Sequence, residues 1–358
     1  MIYDYLIVGQ GLAGSLMAYQ LQRANQQIYV IDPNHTKASS QIAAGLVNPI
    51  TGRHFVKSWR VDELIPYAKQ FYAQMSRDLG VSIFNDYKLC MLLSSPKMEN
   101  NWMQRSAEPE VKGYLVSEAE IDQESYKQVY KEIRCVLEFS PAGRVDMKNL
   151  IETFQNKLKR ENRYSSTYFD YTQLKCGRIL EYKTIRAWNI IFCEGYQAIH
   201  NPFFNYLPFK PSKGEVLFVR IPNYALKQRL VKHKVFVIHW KDDLYWIGSS
   251  YNRNYQHEQP TAQEKQELLN KLQRILRLPF ELVSHRAAVR PTVSDHRPFL
   301  GTHPHLKQLH IFNGLGAKGS YLGPFFARQM TRFLVEGNLL EKEVNIKRYL
   351  FSWKRMFS

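Results

Sequence analysis

The spacing of apolar residues near the amino terminus predicts a strand, a helix and a second strand. Residues 3–8 form a short apolar run typical of a buried parallel strand. Residues 15–21 carry apolar side chains at helical spacing. A further apolar run over 27–31 ends at Asp32 and is broken by Pro33. Strand, turn, helix and strand within about thirty residues predict a βαβ unit.

The rest of the chain alternates between helical and β-rich patterns. Helical spacing is present over 61–79, 146–160, 263–278 and 324–335. β-Rich stretches cover 190–193, 214–221, 235–240, 244–251 and 309–312. The turn at 241–243 predicts a hairpin between two of these stretches and therefore an antiparallel sheet. Residues 94–138 are polar with weak periodicity, so we expect surface elements there.

The turn after the first strand has the glycine spacing of a dinucleotide-binding site. Its residues are Gly9, Gln10, Gly11, Leu12, Ala13 and Gly14. The first glycine permits a tight turn, the second lets a pyrophosphate approach the backbone, and the third permits close helix–strand packing. Asp32, at the end of the second strand, is placed to accept hydrogen bonds from a ribose. The motif alone leaves NAD and FAD open, because both use this fingerprint.

Composition and charge limit the class of protein and leave its partners open. An apolar content of 44% predicts a globular protein, and no apolar run reaches the ~20 residues that span a bilayer. The four cysteines are scattered and the eleven histidines lack metal-ligand spacing, so we predict a cytoplasmic protein without a metal. The net charge of +17 fits an acidic substrate, a nucleic acid, an anionic membrane surface or merely a soluble surface.

Four further segments, together with the glycine turn, resemble the D-amino-acid oxidase superfamily. The first is 39–49, similar to the family's small-residue segment beside the flavin. The second is 191–195, similar to a strand ending in Ala-x-Gly, in which Cys193 and Glu194 depart from the usual small residues. The third, 290–301, resembles an Arg-Pro-x-x-x-Asp-x-x-Pro-x-x-Gly signature, and the fourth, 314–319, resembles the family's last loop, with Leu315 in place of histidine.

This resemblance implies an α/β fold and non-covalently bound FAD. It implies a Rossmann-like FAD-binding domain over 1–60, 140–210 and 290–358, interleaved with a mainly antiparallel, β-rich substrate domain over 61–139 and 211–289. The cofactor-binding residues that it implies, in addition to those of the glycine turn and Asp32, are Ser39, Ser40, Ala44, Gly45, Leu46, Gly195, Gly314, Gly316, Ala317, Lys318 and Gly319.

The resemblance also implies that an amino acid or secondary amine transfers hydride to the flavin, with molecular oxygen or another acceptor reoxidising it. Arg290 is the candidate for gripping a substrate carboxylate, and the alternative is a structural pair with Asp295. Lys318 is a second candidate cation and Arg53 a third. Trp59, Trp246 and Tyr251 are candidates for the pocket wall or for the core.

Two other functions remain open. The first is a tRNA-modifying oxidase acting on a modified wobble uridine, favoured by the basic charge and by the cations and aromatic residues of 345–355. A basic segment packed on the domain is the alternative for this tail. The second is a peripheral membrane dehydrogenase, or a flavin-binding protein without turnover, with the tail on an anionic lipid surface.

Overall fold

The computed structural model describes residues 1–34, 38–52 and 54–350. Their strands are β1 Tyr3–Val8, β2 Ile28–Ile31, β3 Leu46–Val47, β4 Ile50–Thr51, β5 Val56–Lys57, β6 Phe84–Leu93, β7 Cys135–Val145, β8 Tyr164–Ser165, β9 Leu174–Cys176, β10 Leu180–Tyr182, β11 Ile185–Phe192, β12 Ser212–Arg220, β13 Arg229–Lys232, β14 Phe236–Lys241, β15 Leu244–Gly248, β16 Glu281–Arg290, β17 Phe299–Thr302 and β18 Leu309–Asn313. Their α-helices are α1 Leu12–Arg23, α2 Ser39–Ile42, α3 Val61–Leu79, α4 Pro96–Ser106, α5 Pro109–Lys112, α6 Gln123–Val129, α7 Met147–Arg160, α8 Ala262–Ile275 and α9 Gly319–Glu336.

The first sheet contains the predicted βαβ unit. Its main strand order is β17-β18-β11-β1-β2-β8, and β9 and β10 extend it beside β11. The pairs β18–β11, β11–β1, β1–β2 and β2–β8 are parallel. Parallel strands end at the same edge of a sheet, so the turns after β1, β2 and β11 meet there, which is where ligands bind in open α/β sheets.

The second sheet is mainly antiparallel, as the sequence predicts. Its order is β16-β12-β15-β14-β13-β6-β7-β3, and the pair β13–β6 is parallel. The predicted hairpin joins β14 to β15. One continuous cluster of buried apolar residues includes Ile7 and Val30 of the first sheet and Leu89 and Trp246 of the second. The observed fold is thus the predicted α/β class, and the domain boundaries proposed above remain a prediction.

Two stretches differ from the sequence-based expectation. The helix predicted to begin at residue 324 begins at Gly319, inside the glycine-rich segment. A Cβ on Gly323 would lie 2.5 Å from Leu16 Cδ1, so the missing side chains allow α9 to pack closely on α1. The polar stretch 94–138 contains α4, α5 and α6 before β7 begins. Residues of this stretch enter the core, among them Tyr126 and Val129, so it is more than a set of surface elements.

The carboxyl-terminal part of the described chain packs against the segment that precedes β17. Asp295 Oδ2 accepts hydrogen bonds from Arg348 Nε at 3.0 Å and from the Tyr349 hydroxyl at 2.7 Å. Asp295 Oδ1 accepts one from the Arg297 backbone N–H at 3.0 Å. Up to Tyr349, therefore, the basic tail is packed on the fold. The expectation for 351–355 falls outside the described residues.

We expect Asp295→Asn to destabilise the protein at neutral pH. Losing these charge-assisted hydrogen bonds should lower the free energy of unfolding by about 1–2 kcal/mol. Burial raises the pKa of Asp295, but the hydrogen bonds from Tyr349 and Arg348 outweigh it and hold the pKa below its usual value. The stabilisation is therefore present above the unfolded-state pKa of about 3.9 and is lost as pH falls through the lower folded-state value.

Urea unfolding of wild type and Asp295→Asn at neutral and at acidic pH measures this difference. The gap between the two proteins should shrink on acidification. An equal gap at both pH values would assign the effect to packing and not to the charge of Asp295.

Candidate active site

A cavity of about 630 Å³ lies where the ends of β1, β2 and β11 face the second sheet. The second sheet contributes Val216, Phe236, Trp246 and Ala288 to its wall. The predicted site residues that line it are Gly9, Gly11, Leu12, Ala13, Asp32, Ser39, Ser40, Ala44, Gly45, Leu46, Gly195, Arg290, Gly316, Ala317, Lys318 and Gly319. Gly14 and Gly314 are buried and are not among the lining residues, and Arg53 falls outside the described residues.

The three glycines of the first turn have different geometric reasons to lack a side chain. Gly9 has a φ of +94°, and a Cβ there would lie 2.6 Å from the Cys193 carbonyl oxygen. A Cβ on Gly14 would lie 1.8 Å from the Gly9 carbonyl oxygen, so only glycine permits this helix–strand approach. Gly11 is the N-cap of α1 and lines the cavity, and the nearest atom to a Cβ there is Ser40 Oγ at 3.1 Å. The absence of a side chain at Gly11 therefore keeps this part of the cavity open.

Asp32 stands at the end of β2 and its carboxylate organises the turn. Its Oδ2 accepts a hydrogen bond from the Gln10 backbone N–H at 2.7 Å, and its Oδ1 accepts one from the Asn34 N–H at 2.7 Å. A carboxylate has about four acceptor positions, so two such bonds leave capacity for a ribose diol.

Residues 39–46 of the small-residue segment form another part of the wall, and a hydrogen bond from Trp246 holds them in place. The indole Nε1–H of Trp246 donates to the Ile42 carbonyl oxygen at 2.9 Å. A Cβ on Gly45 would lie 1.9 Å from the Val145 carbonyl oxygen, which explains the glycine at this close approach to β7. The segment is thereby held between the two sheets.

The last loop leads into the amino terminus of α9, beside the same cavity. Lys318 is the N-cap residue of α9, and its Nζ donates to Ser58 Oγ at 3.2 Å. Burial, with a smaller contribution from the charge of Arg297, lowers the pKa of Lys318. Leu315, which replaces the family's usual histidine, is buried in the wall.

Arg290 is the last residue of β16 and reaches the cavity across a glycine. A Cβ on Gly214 would lie 2.0 Å from Arg290 Nη2, so the guanidinium lies directly on the backbone of β12. Nη2 donates to Ser249 Oγ at 2.7 Å and to the Ser250 carbonyl oxygen at 3.2 Å. Nη1 is buried and, among the described residues, has no hydrogen-bond partner.

The alternative structural role for Arg290, pairing with Asp295, is wrong. Asp295 is engaged by Arg348 and Tyr349, whereas Arg290 is held by the segment after β15. Burial lowers the pKa of Arg290, yet an arginine remains protonated in a protein. The site therefore contains a guanidinium whose Nη2 is held by Ser249 and Ser250 and whose buried Nη1 has no hydrogen-bond partner among the described residues.

Of the three candidate wall aromatics, Trp246 lines the cavity. Trp59 stacks on Phe326 with ring centroids 5.7 Å apart, and the Arg297 guanidinium lies 3.9 Å from its ring. Tyr251 is 53% exposed and lies beside Arg290, whose Cζ is 5.7 Å from the ring centroid.

Several wall residues carry no sequence signal that could have identified them. They are Tyr168, Phe169, Tyr171, His200 and Ser249. Their positions follow from tertiary contacts: Ser249, for example, reaches the site because β15 pairs with β12. Asn48 and Glu194 also line the cavity, and they fall within 39–49 and 191–195, two of the segments that carry the family resemblance.

The described residues include no group of three His, Cys, Asp or Glu side chains arranged for a metal ion. Within the described parts of the chain, no helix is long and apolar enough to cross a bilayer.

The residues present fit an FAD molecule. Gly9, Gly11 and Gly14 remove the side chains that would obstruct the turn, and α1 begins directly at the cavity, where its amides favour phosphate. Asp32 supplies a ribose acceptor at the end of β2. The same cavity is also lined by the cations Arg290 and Lys318.

Comparison with known proteins agrees with this fit. A family model described as FAD dependent oxidoreductase matches residues 4–333. A curated relative, the tRNA 5-methylaminomethyl-2-thiouridine biosynthesis bifunctional protein MnmC of Idiomarina loihiensis, is 24% identical over 351 residues. That match covers 90% of this chain and 54% of the relative, so the chain spans about half the relative's length.

Solved structures with the same fold include two oxidases. Glycine oxidase from Bacillus cereus has a TM-score of 0.77 at 17% identity, with 94% of this chain and 96% of that chain covered. Iminodiacetate oxidase from Chelativorans sp. has a TM-score of 0.73 at 21% identity, with 97% and 98% covered. At these identities the likeness shows the fold.

Proposed function

The chain belongs to the family of FAD-dependent oxidoreductases, and from this premise we propose that it oxidises the C–N bond of an amino acid or secondary amine that carries a carboxylate. The membership rests on the family model, which matches most of the chain. The proposal concerns the substrate, and the residues at the Arg290 end of the cavity support it.

The observation that carries the proposal is the buried, unpartnered Nη1 of Arg290. Ser249 and the Ser250 carbonyl hold Nη2 in place, so the guanidinium is oriented before any substrate arrives. A buried donor without a partner costs about 1–3 kcal/mol. A substrate carboxylate removes that cost and gains a charge-assisted hydrogen bond from the guanidinium.

The charged residues that line the cavity stand on different elements. Its acidic residues in the described chain, Asp32 and Glu194, both lie at the glycine turn: Asp32 accepts from Gln10, and a Cβ on Gly9 would lie 3.2 Å from Glu194 Cα. The cations Arg290 and Lys318 line it from the end of β16 and from the N-cap of α9. This arrangement favours an anionic substrate there, with Lys318 as a second cation for a carboxylate or for developing negative charge.

FAD, when bound, supplies the two-electron acceptor for the hydride of the substrate α-carbon. The protein contributes the positioning of the substrate and the charges around it. Arg290 fixes the carboxylate and with it the direction of the Cα–N bond. Trp246 and Val216 line the cavity with buried apolar side chains. The residues proposed as catalytic are therefore Arg290 and Lys318.

The second candidate is an oxidase acting on a modified wobble uridine of tRNA. The match to the bifunctional tRNA-biosynthesis protein favours it, together with the net charge of +17. A carboxymethylamino group on the base would present the same carboxylate to Arg290.

One experiment tests both candidates. The purified flavoprotein is mixed anaerobically with amino acids, secondary amines bearing a carboxylate, the corresponding amines without one, and total tRNA. Bleaching of the oxidised flavin spectrum by the carboxylate-bearing amines supports the first candidate, and bleaching by tRNA alone supports the second. Bleaching by amines without a carboxylate, at equal efficiency, would overturn the role given to Arg290.

A further inference from the structure

Glu194 lines the cofactor cavity at a position where the related family has a small residue. It directly follows Cys193 at the end of β11. A Cβ built on Gly9 would lie 3.2 Å from Glu194 Cα, so this residue adjoins the glycine turn. The turn is where the backbone is expected to approach the pyrophosphate. An acidic residue in this place therefore stands close to the negative charge of the cofactor.

The partners of the Glu194 carboxyl are neutral. The Tyr171 hydroxyl donates a short hydrogen bond to Oε1, and Asn201 Nδ2 donates to Oε2 at 2.8 Å. Within the described chain, none of the ion pairs involves Glu194. Burial raises the pKa of this carboxyl to about 7, although the two hydrogen bonds act in the opposite direction. Before the cofactor arrives, both protonation states are thus accessible near neutral pH.

FAD binding makes the charged form of this carboxyl less favourable. The pyrophosphate brings negative charge to the adjacent turn, and a like charge nearby disfavours ionisation. The cofactor also displaces water from the cavity, which strengthens the repulsion because the local dielectric falls. Removing the charge from Glu194 relieves both effects, and no ion pair among the described residues offsets them.

We propose that Glu194 is a proton-accepting residue of the cofactor site, and that FAD binding takes up one proton from solvent at this carboxyl. In this step the carboxylate of Glu194 takes one proton from solvent while one FAD binds. The product is a carboxylic acid beside bound FAD, and no electron is transferred. The neutral form retains the partners Tyr171 and Asn201 and gains an O–H donor. The proposal rests on the FAD site and is independent of the substrate.

Four titratable groups that line the cavity with Glu194 come from four different elements. Tyr171 lies in the turn 171–173, Cys193 at the end of β11, and His200 at the end of the turn 195–200. Asp32 lines the same cavity from the end of β2 and accepts hydrogen bonds from Gln10 and Asn34. His200 matters most for the test because it is the histidine that lines the same cavity.

The test is the affinity of the apoprotein for FAD between about pH 6 and pH 9, followed by flavin fluorescence. Affinity of the wild type should fall as pH rises, approaching tenfold per pH unit above the pKa of the free carboxyl. Glu194→Gln, which is neutral and nearly isosteric, should bind with little dependence on pH, and at the alkaline end more tightly than the wild type. Glu181→Gln, an exposed carboxylate on β10, is the matched control and should keep the wild-type slope.

Calorimetry of the wild type in two buffers with different ionisation enthalpies gives a second readout that needs no variant. Near pH 8, about one proton should be taken up per FAD bound. Absence of uptake, or a slope that persists in Glu194→Gln, would overturn the proposal. A slope that disappears in His200→Gln but persists in Glu194→Gln would assign the proton to the imidazole instead.

Discussion

Replacing Gly11 by valine is expected to give a folded protein that does not retain FAD. Gly11 has an ordinary φ of −71°, and the nearest atom to an added Cβ is a serine hydroxyl oxygen at 3.1 Å, which a small rotation of Ser40 relieves. The backbone therefore accepts a side chain. The valine methyl groups would instead occupy the cavity at the start of α1, on the approach path of the pyrophosphate. We expect FAD affinity to fall at least about a hundredfold, or about 2.7 kcal/mol.

Gly14 gives a contrasting outcome within the same turn. A Cβ there would overlap the Gly9 carbonyl oxygen at 1.8 Å, so Gly14→Val should prevent α1 from packing on β1 and so prevent folding. Gly177 is the matched control, since it is exposed and a Cβ there has no neighbour within 3.6 Å. Gly177→Val should remain yellow and stable.

Visible absorbance and thermal unfolding of the apoproteins separate these outcomes. Gly11→Val should lose the flavin spectrum while the apoprotein melts close to wild-type apoprotein. A yellow Gly11→Val protein, or one as unstable as Gly14→Val, would contradict the separate roles assigned to the two glycines.

The sequence predicted those parts of the fold whose signal is local. The glycine turn with Asp32 identified the βαβ unit, because the strand, the three glycines, the helix and Asp32 all lie within about thirty residues of chain. The helix over 61–79 was predicted with the bounds that the structure has, since its apolar spacing is regular and Gly80 ends it in a left-handed conformation.

The remaining features depend on contacts between distant segments. Helix α9 begins at Gly319 despite the low helix propensity of glycine, because its glycines allow it to approach Leu12 and Leu16 of α1. Arg290 and Asp295 are close in sequence and were candidates for a pair, but Asp295 is taken by Arg348, which is 53 residues away. Tertiary packing decides which arginine pairs with Asp295, and no local sequence pattern encodes that pairing.

The dependence on distant contacts also explains why only part of the candidate site could be predicted from the sequence. The backbone-binding glycines and the arginine were recognisable from residue type and spacing. Ser249, which holds Arg290, and Glu194, whose neighbours are Tyr171 and Asn201, acquire their positions only when β15 and β11 are in their sheets. A half-buried carboxyl held by two neutral hydrogen-bond partners is a property of the assembled cavity.

Replacing Arg290 by lysine is expected to weaken the substrate complex and leave FAD content unchanged. Lysine keeps the charge but loses the planar fork, so neither the contact with Ser249 nor the free Nη1 donor survives in the same geometry. Losing a charge-assisted contact should cost roughly 1.5–3 kcal/mol, or about ten- to a hundredfold in kcat/KM. If ground state and transition state share the contact, the change falls mainly on KM.

The matched control is Arg286→Lys, an exposed arginine of the same strand whose Cζ lies 5.0 Å from the Phe218 ring centroid, and its KM should stay near wild type. Steady-state kinetics with the best carboxylate-bearing amine measures both, and an unaltered KM in Arg290→Lys would leave Arg290 a structural residue and remove the main support for a carboxylate-bearing substrate.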